Sequence, residues 1–132
     1  KGKYREKIKP FYKGPSVYGD KYVKTICGMK ICLHFLRHTN RDEQDSRTFE
    51  IPACGVFMLA EHSEIHDQLF RDGEEAVFFR NKEDLLFKIK KYLADNETRK
   101  KIAENGRQRC IRSGYSHEAR LAHILSITFI EK

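Results

Sequence analysis

Three short apolar runs, spaced at helix-sized intervals, constrain this chain more than any other feature. They are Ile31-Cys32-Leu33-His34-Phe35-Leu36, Val56-Phe57-Met58-Leu59-Ala60 and Ala76-Val77-Phe78-Phe79. None alternates polar with apolar, as a strand with one wet face would, so each reads as a strand covered on both faces. The intervening segments have helical spacing. Ser46 to Cys54 is closed by Gly55, with Pro52 expected to kink or shorten it, and Ser63 to Phe70 ends near Gly73. Before the first run, Asp20 to Cys27 brings Tyr22, Val23 and Ile26 to one side and stops at Gly28. Strand and helix in alternation predict an α/β fold, a Rossmann-like parallel sheet with crossover helices. Such sheets carry about five or six strands. The chain therefore reads as the second half of one, with earlier strands absent or supplied elsewhere.

The last fifty or so residues are expected to be helical. Asn81 is placed to cap a helix with Glu83 and Asp84 in its first turn, beside the positive dipole end. Leu85, Leu86, Ile89 and Leu93 would share its apolar face. A second helix runs from Glu97 to Arg112 and stops at Gly114; a third starts at Ser116 and aligns Leu121, Ile124, Leu125 and Thr128.

The 132 residues, 39% of them hydrophobic, suit one domain with a modest core. Nine Phe and six Tyr argue against disorder. No apolar run approaches the roughly 18 residues of a membrane span. The start is basic with no hydrophobic stretch behind it, so it is not a secretory signal. It also lacks Met, and the expectation is of a piece of a longer protein. Cys27, Cys32, Cys54 and Cys110 have neither metal nor disulfide spacing and read as reduced cysteines of a cytoplasmic protein.

The net charge of +7 is unevenly spread: residues 1–13 hold six basic side chains against Glu6 alone, a surplus of +5. Residues 1–16 thus read as a basic arm or linker, and residues 17–132 as the folded domain. Specific nucleic-acid binding is not expected of an arm whose charge is mostly solvated.

In open parallel sheets, ligands bind beyond the carboxyl ends of the strands. The loop after the first run, Arg37 to Asp45, holds that position and is the most polar stretch of the chain. Backbone N–H groups of the following helix would face a diphosphate, with Arg41 and Arg47 adding charged contacts. Glu50, one turn further, would accept hydrogen bonds from ribose hydroxyls. His34 would line the site if its ring turns towards the loop. His62 and His66 read as surface histidines at a helix start, since the acid between them is misplaced for zinc catalysis. Cys32, His34 and His38 alternate along and beyond a strand, and a third ligand would have to come from the loop. No metal is expected.

Here the sequence resembles a known family. Arg47-Thr48-Phe49-Glu50-Ile51-Pro52-Ala53-Cys54-Gly55 is similar to the E-A-M-A-C-G helix of group 1 glycosyltransferases, which are of the GT-B type. Asp42 lies eight residues before Glu50, where that family has a first glutamate. The resemblance continues through Asp72-Gly73-Glu74-Glu75, Glu83-Asp84-Leu85-Leu86, Asp95-Asn96-Glu97-Thr98-Arg99 and Tyr115-Ser116, and is strongest to the spore-maturation-like branch. It implies the carboxyl-terminal, donor-binding part of a glycosyltransferase using a nucleotide-diphosphate sugar and no cofactor. By position, Asp42, Gln44 and Asp45 would hold the donor sugar, and Ser46, Arg47 and Glu50 the nucleotide. Asp42 stands one methylene short of the family's acid, and the glycines usual between the two acids are replaced by Gln44, Asp45 and Ser46. The implied partners are the donor and an amino-terminal acceptor-binding domain. An unpaired sheet edge would also favour a homo-oligomer. Two other readings are a non-catalytic Rossmann-like interaction module and a polyanion binder acting through the basic arm.

Overall fold

The computed structural model describes residues 4–129. The sheet is three-stranded and parallel, in the order β1 (Cys32–His34), β2 (Met58–Glu61), β3 (Val77–Phe79). Leu33 pairs with Leu59, and Leu59 with Val77. Around it lie α1 (Arg5–Ile8), α2 (Gly19–Cys27), α3 (Arg47–Ala53), α4 (Glu64–Leu69), α5 (Lys82–Ala94), α6 (Asn96–Arg112) and α7 (His117–Phe129). This is the expected α/β fold with parallel strands and crossover helices.

The alternation of β2 and β3 side chains divides the core in two. Met58, Ala60 and Phe78 meet Ile26, Ile51, Phe70 and Cys110 on one face. Leu59, Val77 and Phe79 meet Phe57, Tyr92, Ile102 and Ala103 on the other. Burying each such large side chain contributes about 1.5–3 kcal/mol, so the central strand anchors the domain. Strand β1, like β3, is an edge of the sheet, and Leu33 within it and Phe35 just after it are exposed.

The first strand is shorter than its apolar run because β2 ends at Glu61, whose carboxylate accepts from Leu36 N–H (3.1 Å). Pro52 sits in the last turn of α3, which Gly55 then ends in the left-handed region (φ 69°). Asn81 caps α5 as expected, its Oδ1 accepting from Asp84 N–H at 2.9 Å. Asp95 and Ser63 cap α6 and α4 in the same way.

Two amphipathic readings need correction. The buried side of α5 is set by Tyr92, whose ring packs 4.7 Å from that of Phe57. Leu85 and Ile89 follow it inward, while Leu86 and Leu93 turn out to solvent. Helix α7 buries none of its described residues, and Leu121, Ile124 and Leu125 are exposed. Cys32 and Cys110 are buried and Cys54 is half-buried, whereas Cys27 is exposed. Burial pushes the Cys110 thiol up to about 11. The basic arm contains α1 and a 3-10 turn over Lys9–Phe11, with no buried residue. Its residues 1–3 lie outside the described residues, as do residues 130–132.

Candidate functional site at the carboxyl edge of the sheet

The loop from β1 to α3 is fixed to the sheet by buried polar groups. Thr48 and His66 are both wholly buried, with Thr48 Oγ1 and His66 Nε2 3.0 Å apart. His66 Nδ1 lies 2.8 Å from the Glu61 carbonyl oxygen. A carbonyl only accepts, so Nδ1 carries the proton and Nε2 is an acceptor. Thr48 therefore donates to His66, and its oxygen in turn accepts from Asp45 N–H at 3.2 Å. The Ser63 hydroxyl donates to the Glu43 carbonyl at 2.6 Å. The end of the loop is thus held from both β2 and α4.

This overturns the reading of His66 as a surface histidine. Helix α4 packs across the sheet with its third residue inward, and the His66 ring stacks on Phe78 at 5.3 Å. Burial, ahead of every other influence, lowers its pKa and keeps it neutral. His62 is the more exposed of the two, paired with Asp67 at 2.7 Å. His34, wholly buried, does turn towards the loop. Its Nε2 stands 3.0 Å from Asp45 Oδ1, without the alignment of a hydrogen bond, so neither ring nitrogen is hydrogen-bonded.

The structure separates the predicted site residues into two groups. Ser46, Arg47 and Glu50 line one groove of about 510 Å³, whose other wall is Pro15 to Gly19, Tyr22, Thr25, Ile26 and Met29. Arg41, Asp42, Gln44 and Asp45 lie upstream on the loop, outside that lining. Arg41 takes a left-handed conformation (φ 54°) at the end of the turn His38–Asn40. Asp42 is half-buried, and Gln44 is exposed. The Asp45 carboxylate accepts from Arg47 N–H at 2.8 Å, so it holds the start of α3. Thr48 and Phe49 N–H are also bonded within the turn. The amides of Gln44 and Ser46 have no hydrogen-bond partner among the described residues.

Glu50 is the best-placed of these groups for chemistry. Its Oε2 accepts from the Tyr22 hydroxyl at 2.7 Å. Burial first, then this carboxylate, raises the Tyr22 pKa to about 12, with Arg47 acting in the opposite direction. Tyr22 is therefore a hydrogen-bond donor at any physiological pH. A second groove of about 350 Å³, lined by Phe49, Arg107, Tyr115 and His117 among others, lies on the other side of Glu50.

The residues missed by sequence reasoning are Tyr18 and Tyr22. Tyr22 was assigned to the apolar face of α2, which it joins in part, packed against the core. The available signal was two tyrosines four residues apart at a helix start: Tyr18 is exposed, and both line the groove. Among the described residues no three His, Cys, Asp or Glu side chains are disposed to hold a metal ion, and no helix is long and apolar enough to cross a membrane.

A parallel sheet with helices crossing between its strands defines a Rossmann-like α/β domain. The comparison with protein families makes this specific: residues 2–126 match the family described as glycosyl transferase-like, and the chain belongs to it. No curated protein and no solved structure shows significant similarity to it.

Proposed function

We propose that this chain is the carboxyl-terminal, donor-binding portion of a GT-B glycosyltransferase of the spore-maturation-like branch. The enzyme transfers a sugar from a nucleotide-diphosphate donor to an acceptor held mainly by an amino-terminal domain, in the cytoplasm. The observation that carries this reading is the convergence of Ser46, Arg47 and Glu50 on one groove between α2 and the start of α3, in a chain of a glycosyl transferase-like family.

In this reading Glu50 takes the ribose and Arg47 the phosphates, with the Ser46 amide beside them. Asp42 and Gln44, further along the loop, take the sugar. Asp45 contributes by fixing the start of α3. Catalysis rests on orientation and on electrostatic stabilisation of the departing diphosphate. The test is an NMR titration of the labelled chain with UDP, GDP and their sugar conjugates. Saturable amide shifts over residues 42–50, lost in Glu50→Ala, support the reading. Silence at millimolar nucleotide, repeated on the full-length enzyme, sinks it.

A further inference from the structure

At the groove, α2 and α3 are joined by a hydrogen bond, Tyr22 Oη–H to Glu50 Oε2 at 2.7 Å. The two residues lie 28 apart in the chain. Both line the groove, and Tyr22 also packs against the core beneath it. Oε1 of Glu50 has no hydrogen-bond partner among the described residues. A carboxylate on a helix ordinarily samples several χ3 orientations. Here one oxygen is committed, and the other is left as an acceptor at the groove.

We propose that Tyr22 is a positioning residue: by holding Oε2 of Glu50 it presents Oε1 to the ribose hydroxyls and makes the site selective for ribonucleotides over 2′-deoxyribonucleotides. This rests on the donor-site reading above. Loss of a hydroxyl that a half-buried, held acceptor would meet leaves that acceptor without its partner, which is the source of such discrimination. Tyr22 does not touch the reacting atoms; it acts through Glu50. Its high pKa, about 12, keeps the hydroxyl a donor across the working pH range.

The bond also ties α2 to α3, so a loss of affinity alone would not separate positioning from scaffolding. The ratio of affinities does. Calorimetric titration of the full chain with UDP and GDP, each beside its 2′-deoxy counterpart, gives that ratio. The unmodified chain should prefer the ribonucleotide by about tenfold or more, one good hydrogen bond's worth. In Tyr22→Phe the preference should collapse towards one, with deoxynucleotide affinity nearly unchanged. If both affinities fall together, or the ratio stays as it was, Tyr22 is only a tether and the inference is wrong. If the unmodified chain and the full-length enzyme bind no nucleotide, the donor-site reading fails first and the inference with it. Should Tyr22→Phe not fold, replacement of Tyr22 by 3-fluorotyrosine keeps the shape and strengthens the donor. An unchanged ratio there also overturns the inference; a shifted one supports it.

Discussion

His66 Nε2 accepts a hydrogen bond from the Thr48 hydroxyl at 3.0 Å, with both side chains wholly sealed from solvent. The neutral imidazole is therefore part of the folded state. Burial lowers the His66 pKa below the unfolded value, so between those two values the unfolded chain binds more protons. The stability this histidine contributes is complete above the unfolded pKa of about 6.5 and declines as pH falls through it. His34 and His62 oppose its protonation further, while Asp45 favours it. Urea unfolding followed from pH 7.5 down to pH 5.5 should show falling stability, with a shallower decline in His66→Gln. Parallel profiles would mean that His66 is not the group responsible.

A second prediction concerns a close approach of backbones. Helix α6 rests on the turn before β3 and on α3 through Gly106. A Cβ at that position would collide with the Glu75 carbonyl oxygen and stand 3.4 Å from Pro52 Cβ. Gly106→Ala should destabilise by about 1–3 kcal/mol, despite the better helix propensity of alanine. Lys100→Ala, on the exposed side of the same helix, should stay within about 0.5 kcal/mol. Denaturant melts of both variants decide it, and equal stability would mean the two segments move apart at little cost.

The third prediction concerns the corner between α5 and α6. Arg99 is buried, donating to the Tyr92 carbonyl at 2.6 Å and to Asn96 Oδ1 at 2.5 Å. Arg99→Met keeps the bulk but leaves that carbonyl unpaired, a loss of about 1.5–3 kcal/mol. Arg99→Lys should recover only part, because an ammonium cannot match the planar fork. A methionine variant as stable as the parent would refute the assignment.

The arginine shows what the sequence conveyed and what it withheld. Asp95-Asn96-Glu97-Thr98-Arg99 was legible as a family turn. Its physical content, an Asp95 cap followed by a buried guanidinium, needed coordinates. The three strands were legible because an unbroken apolar run has few other uses, and the Asn81 and Gly55 boundaries because capping chemistry is local. His66 was not legible. A histidine in the first turn of a helix reads as surface until the packing angle of α4 on Phe78 is known. Leu121, Ile124 and Leu125 carry the signature of a buried face, yet that face of α7 meets solvent. In the site, Ser46, Arg47 and Glu50 share a groove because they sit on one turn of chain. Tyr22 joins them from a separate helix, a relationship that spacing does not encode.

The last prediction isolates the phosphate contact. Arg47 is exposed, lines the groove beside Glu50, and lies on the first turn of α3. On the donor-site reading its guanidinium meets the diphosphate, and charged hydrogen bonds of this sort are worth roughly 1.5–3 kcal/mol. Arg47→Ala should therefore weaken UDP or GDP binding by about tenfold or more at low salt. The deficit should shrink as salt rises, because both partners face solvent and screening already weakens the parent interaction. Uridine and guanosine, which carry no phosphate, should bind parent and variant alike. A loss shared equally by nucleosides and diphosphates would assign Arg47 to the groove wall, in company with Tyr22 and Glu50, and leave the phosphates to be held elsewhere.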